Sequence, residues 1–277
     1  MNHKIQRIIY NILFYLGATA LVVIVTIPLY WMISTSLKSK GALMALPIQW
    51  IPKNPTFNSY NKVFTLFPFA KAIANSAFIT VMYVIITVFS ASMAAFAIAK
   101  IRFKGANVVF ALYLTSMMIP VQITLIPMFI IMNRFSLINT YTSVISPAIF
   151  KAFAVFLLVQ NMRALPDDYI EAARIDGAKL FKIYKDIIMP MMIPTIATLS
   201  ITTFMEAWND YLWPLVMLSD KNKMTLTLAL NTLNGQYDTE YNVLMAGSLM
   251  SMIPIIVIYI IAQTQMKQGI TVGGVKG

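Results

Sequence analysis

Long apolar runs alternate with short polar intervals along the whole chain. The runs fall at about 10–33, 72–99, 106–132, 141–160, 193–218 and 243–263. Each is long enough to cross a bilayer as a helix, which takes about 20 residues. The pattern predicts an all-α integral membrane protein with six transmembrane helices in a single domain over 1–277. Lys4 and Arg7 precede the first run. That run is too long for a signal-peptide core and has no clear small-residue cleavage site, so it is expected to remain as a span. The basic start places the N-terminus in the cytoplasm, and alternation then puts both termini there. Lys100, Arg102 and Lys104 mark one inner end, although the external loop 38–71 carries five lysines and weakens the bias.

Two polar intervals are long enough to be ordered. Residues 34–71 hold Pro47, Pro52, Pro55, Trp50 and Tyr60 and read as an external loop. Residues 163–192 hold five of the ten acidic residues: Asp167, Asp168, Glu171, Asp176 and Asp186. Pro166 with the carboxylates after it is a helix start, because proline suits the first turn and acids suit its positive end. Gly177 is placed to stop that helix in the left-handed conformation. A second helix is expected from Lys179 to Met189, with Leu180, Ile183, Tyr184 and Ile187 on one face. The result is a cytoplasmic helix-turn-helix with small residues, Ala172 and Ala173, exposed at its tip.

Composition sharpens the class. The chain is 59% hydrophobic and 11% charged, with a net charge of +11. Soluble domains carry about 25% charged residues. The positive charge sits around membrane ends, which points to topology and lipid headgroups rather than nucleic acid. There is no cysteine and one histidine, His3, so disulfides, thiolate sites and His-based metal sites are not expected.

Polar side chains inside the runs are the candidate chemistry. Gln122 lies between Pro120 and Pro127, where two kinks are expected on nearly one face. Asn75 lies near the outer end of the second run, and Lys151 falls near the middle of the fourth. An intramembrane lysine must face the protein interior, as a buried pair or a substrate contact. The fifth run contains FMEAWNDYLWPL, in which Glu206, Asn209, Asp210 and Trp213 are spaced i, i+3, i+4, i+7 and are expected to share a helical face. Amides and carboxylates suit sugar hydroxyls and aromatic faces suit sugar rings; packing against a partner subunit is the alternative.

Glu171-Ala172-Ala173, then Gly177, Ile187 and Pro190, resemble the EAA coupling loop of permease subunits in ABC importers. EAARIDGA, from Glu171 to Ala178, is similar to the form found in carbohydrate-uptake permeases of the maltose and multiple-sugar type. PIQWIPKNPTFNSYNKVF and MIPVQITLIP continue the likeness, although Gly41 and Ala42 stand where that family often carries a Glu. The resemblance implies a type I importer permease whose loop docks into a cytoplasmic ATPase through Glu171, Ala172, Ala173, Asp176, Gly177 and Ala178. It also implies that the tail, with Gly273, Gly274 and Lys276, reaches the ATPase, whereas physics alone makes that Gly-rich end disordered. The substrate pathway would draw on Asn75, Gln122, Lys151, Glu206, Trp208, Asn209, Asp210 and Trp213.

The implied partners are an ATP-binding cassette dimer, a second homologous permease, an extracytoplasmic sugar-binding protein and the lipid bilayer of a bacterial or archaeal cytoplasmic membrane. No GxxxxGK[ST] phosphate loop is present, so ATP and Mg would be bound by the partner ATPases, and the chain itself is expected not to be an enzyme. An ABC permease for another solute, an ion-coupled secondary transporter using Glu206, Asp210 and Lys151, and a membrane enzyme are the competing readings. Lys151 leaves an acidic sugar open as a substrate.

Overall fold

The computed structural model describes residues 3–43, 45–101, 103–233 and 240–273. Among them the regular structure is helical, with no strand. In chain order the helices are α1 (His3–Ser36), α2 (Lys40–Leu43), α3 (Asn58–Leu66), α4 (Phe69–Phe96), α5 (Ala106–Met117), α6 (Val121–Arg134), α7 (Tyr141–Ile145) and α8 (Ala152–Arg163). They continue with α9 (Asp168–Ile175), α10 (Leu180–Ile183), α11 (Met189–Met191), α12 (Ile193–Asn209), α13 (Leu212–Met217), α14 (Leu226–Asn231) and α15 (Tyr241–Gly273).

Among the described residues, four stretches are long and apolar enough to cross a membrane unbroken: Ile9–Ser36, Phe69–Ile101, Tyr141–Arg163 and Tyr241–Ile261. Two helix pairs pass the same test only together: α5 with α6, bent by 104°, and α10–α11 with α12, bent by 77°. The first bend replaces the two kinks expected in the third run. Pro120 has no N–H to continue a helix, so α5 stops before it and α6 starts after it. Pro127 is accommodated inside α6.

Two compact units divide the chain: Met1–Phe69 with Leu230–Met252, and Ala70–Ala229 with Ile253–Gly277. In the first, the loop that follows α1 is tied down by specific bonds. Ser34 Oγ donates to the Trp50 carbonyl at 2.6 Å, and Trp31 meets Trp50 edge-on at 5.2 Å. Lys38 Nζ lies 4.3 Å from the centre of the Trp31 ring. Asn242 Nδ2 donates to the Lys38 carbonyl and to Ser59 Oγ, and Lys62 pairs with Glu240 at 3.0 Å. Along α1, by contrast, the apolar window is wholly exposed. A helix apolar on every side needs lipid or protein around it.

The second unit holds a core in which small residues of α4 let other helices approach closely. Ala91, Ser92 and Ala95 are buried beside Val155, Leu158 and Met162 of α8 and Ile183, Ile188, Met192 and Leu199 further on. A second cluster gathers Ile79, Met132, Val144, Met217 and Leu228.

Three further expectations change. The helix expected from Lys179 to Met189 is not uniform, because a π turn spans Tyr184–Ile188. That turn brings Ile183 and Ile188, five apart, into the core together and leaves Leu180 exposed. The fifth run stops being helical at Asn209. Residues 269–273 continue α15 instead of forming a disordered end, while Gly274 and Lys276 lie outside the described residues.

Candidate functional site

The second unit carries an open cavity of about 860 Å³. That is within the range of roughly 300–1,000 Å³ typical of small-ligand sites. Helix α4 contributes Ile79 and Tyr83, one turn apart, and α6 contributes Gln122, Thr124 and Met128. Glu206 and Asn209 come from α12, Asp210 and Tyr211 from the break after it, and Trp213 from α13.

The break follows from Pro214. In a continuous helix its ring would clash with the carbonyl four residues back, which is that of Asp210. The chain accordingly turns extended at Asp210, with ψ 124°. The Asp210 carboxylate then accepts the Trp213 backbone N–H at 3.3 Å, and Trp213 Nε1 donates to the Ser143 carbonyl at 3.0 Å. Glu206 and Asn209 therefore face the cavity from one helix and Trp213 from another, and the expected continuous helical face ends at Asn209.

Lys151 occupies a second break, an extended residue between a 3₁₀ turn at Ser146–Phe150 and α8. Its side chain is 10% exposed and its ammonium pairs with Glu206 Oε2 at 2.5 Å. It also lies 5.4 Å from the centre of the Tyr83 ring. The lysine is largely buried, while the Glu206 side chain is 64% exposed toward the cavity. Paired in this way, the charge avoids the several kcal/mol that an isolated intramembrane lysine costs.

Three sequence candidates are not part of the cavity lining: Lys151, which reaches it only through Glu206, and Asn75 and Trp208. Asn75 is buried and holds a loop: its Nδ2 donates to the carbonyls of Asn222 and Met224, and its Oδ1 accepts from Tyr141. Trp208 is buried and stacked on Phe204 at 5.6 Å, because the position before Asn209 points to the opposite side of α12. Tyr83 and Tyr211, which line the cavity, were missed. Tyr83 carried a signal, as an aromatic hydroxyl within a run that is otherwise mostly aliphatic or small. No group of three or more His, Cys, Asp or Glu suited to a metal occurs among the described residues.

At the other end of α4 lies the 163–192 segment. Asp168 and Glu171 occupy the first turn of α9, where carboxylates complement the helix dipole. Gly177, at φ +78°, closes it. Ala178 N–H bonds the Ala173 carbonyl and Gly177 N–H bonds that of Arg174, the paired bonds of a Schellman end. Glu171, Ala172, Asp176 and Gly177 are exposed, and Ala178 is half-buried. Ala173 is not at the exposed tip: it is 8% exposed, packed into the core with Ile170 three residues before it. The side chain that does protrude is Ile175, 87% exposed.

The segment is fastened to α4 and its continuation. Lys100 is not a headgroup-facing charge. Its side chain is 3% exposed, and Nζ donates to the Leu165 carbonyl at 2.7 Å and to Asp167 Oδ1 at 2.6 Å. Ser92 Oγ and Tyr184 OH share a buried hydrogen bond of 2.7 Å.

The family described as binding-protein-dependent transport system inner membrane component matches residues 86–272. The chain belongs to this family. It is therefore a multi-pass membrane protein of a family of transport components. It is 37% identical over 265 residues to the arabinooligosaccharides transport system permease protein AraQ of Halalkalibacterium halodurans, covering 95% of each chain. It is 32% identical over 202 residues to the lactose transport system permease protein LacG of Rhizobium radiobacter, covering 73% of this chain and 74% of that one. Among solved structures, a bacterial ABC transporter involved in import of the acidic polysaccharide alginate superposes with a TM-score of 0.83 at 23% identity. That match covers 96% of this permease and 99% of that chain, and it shows the fold.

Proposed function

We propose that this permease forms half of the translocation pathway of an ATP-driven, binding-protein-dependent sugar importer. It works with a second permease, a cytoplasmic ATPase dimer and an external binding protein. Each bent helix pair is read as one broken span, which gives six spans with both termini in the cytoplasm. The relatives named for arabinooligosaccharides and lactose transport support a sugar as cargo. So does the cavity, which combines the amides of Gln122 and Asn209 with the rings of Tyr83, Tyr211 and Trp213.

The observation that carries the proposal is α4 together with its continuation. Tyr83 and Ile79 line the cavity, while Ser92 and Lys100 bond the segment that would meet the ATPase. From Tyr83 to Lys100 is about 25 Å at the helical rise of 1.5 Å per residue. A displacement of α9 by the closing ATPases is carried along that element to the cavity wall, exposing the cavity to alternate sides. The 163–192 segment is the coupling element, offering Glu171, Ala172, Ile175, Asp176 and Gly177. Ala173 and Ala178 act from beneath, seating α9 on the core. Hydrolysis takes place on the ATPases, so this chain is not itself an enzyme. Import also requires the two states to bind cargo differently.

Reconstitution into proteoliposomes tests this. ATP-dependent oligosaccharide uptake should require this chain and all three partner types, and vanish when any is omitted. Uptake by this chain alone, driven by a proton or sodium gradient, would overturn the proposal in favour of ion coupling.

A further inference from the structure

Resting on the reading of the cavity as the sugar pathway, we propose that the wall built by this chain is anion-excluding. It passes uncharged sugars and rejects uronates, sulfonates and sugar phosphates. Two carboxylates, Glu206 and Asp210, line the wall, and Lys151 stands behind Glu206. Lys151 is bound to Glu206, so its ammonium is not free to receive a ligand carboxylate. Asp210 stands on the same wall, where its carboxylate accepts backbone N–H groups, that of Trp213 at 3.3 Å among them, and Lys151 is paired with Glu206 instead. Two carboxylates against one ammonium leave a net negative charge facing the cargo, and among the described residues no lysine or arginine lines the cavity to offset it. An anionic sugar would have to displace Glu206 from Lys151 while approaching Asp210, which is unfavourable twice over. A neutral sugar needs neither, and finds acceptors in both carboxylates and donors in Gln122 and Asn209. The matching fold of an importer of an acidic polysaccharide shows that fold alone does not set this preference; the side chains on the wall do.

The absence of cysteine makes the charge directly measurable. Asn209→Cys places one thiol on the wall, and Met205→Cys, one turn earlier, serves if the first variant does not assemble. In the assembled complex, each is treated with a cationic and an anionic methanethiosulfonate of matched size. The rates are normalised to a small free thiol. The cationic reagent should be favoured on the order of three- to tenfold. Asp210→Asn should remove the preference, and Lys151→Met should enlarge it. Equal rates, preference for the anionic reagent, or a preference insensitive to Asp210→Asn would overturn the proposal. The ratio reports the wall's charge whether or not sugar moves, so its failure is distinct from failure of reconstituted uptake.

Discussion

Removing Asp167 should destabilise the permease more than removing its partner Lys100, although the two changes break the same bond. The lysine side chain is 3% exposed and the carboxylate 38%. In Asp167→Ala the ammonium stays buried, with the Leu165 carbonyl at 2.7 Å as its remaining neighbour in the pair. Orphaning a fully buried charge costs roughly 3–5 kcal/mol. The partly hydrated carboxylate and the surviving carbonyl bond reduce that to about 1–2 kcal/mol. In Lys100→Met the apolar stem still fills the space, the buried charge is gone, and Asp167 keeps water and its other interaction. What remains is one carbonyl without its donor, about 1 kcal/mol or less. Thermal unfolding of the assembled complex in detergent should show a drop of a few degrees for Asp167→Ala and a smaller one for Lys100→Met. Function should follow the bond instead of the stability. Both variants should consume more ATP per molecule imported, since α9 is no longer fastened to the element that lines the cavity. A larger thermal loss for Lys100→Met, or unchanged ATP consumption per import in both, would refute the reasoning.

Three other outcomes follow from the geometry. Gly177→Ala forces a side chain into φ +78°, a strain of about 1–2 kcal/mol, and should speed amide exchange at residues 177 and 178 while lowering uptake. Pro214→Ala removes the ring that ends α12, so the helix should extend through Asp210; a thiol at position 210 should then change in reagent access, and uptake should fall. The Asp220 carboxyl, outside the spans, is held below its usual value of 3.8 chiefly by the Asn222 backbone N–H. A lowered folded value means this contribution is complete above about pH 4 and is lost as pH falls through that lower value, so exchange protection at Asn222 should fade only in acid below that point.

The apolar runs were legible because a bilayer demands about 20 apolar residues per crossing, and α1, α4 and α15 follow that demand directly. Gly177 was legible because its role is local, needing only its own backbone and the preceding turn. The breaks at Pro120 and Asp210 were also within reach. Each follows from a proline whose steric demand acts at a fixed offset, but reading residues 193–218 as one span concealed the second. Lys100, Ala173 and the Lys151–Glu206 pair depend on which helices become neighbours. A basic residue at the end of a run reads the same whether it meets headgroups or, like Lys100, is itself buried against a carboxylate. Ala172 and Ala173 are identical in sequence terms, and only the packing of α9 decides which of them a partner can touch.

The most direct test of the coupling claim is a single cysteine at the exposed Ala172 of this cysteine-free chain. It would be paired with cysteines in the docking cleft of the ATPase, in the host's own membranes. A cross-link whose yield changes on ATP binding is the predicted result. A folded complex in which the Ala172→Cys thiol is freely reachable from the cytoplasm yet never cross-links, with or without ATP, would contradict the account.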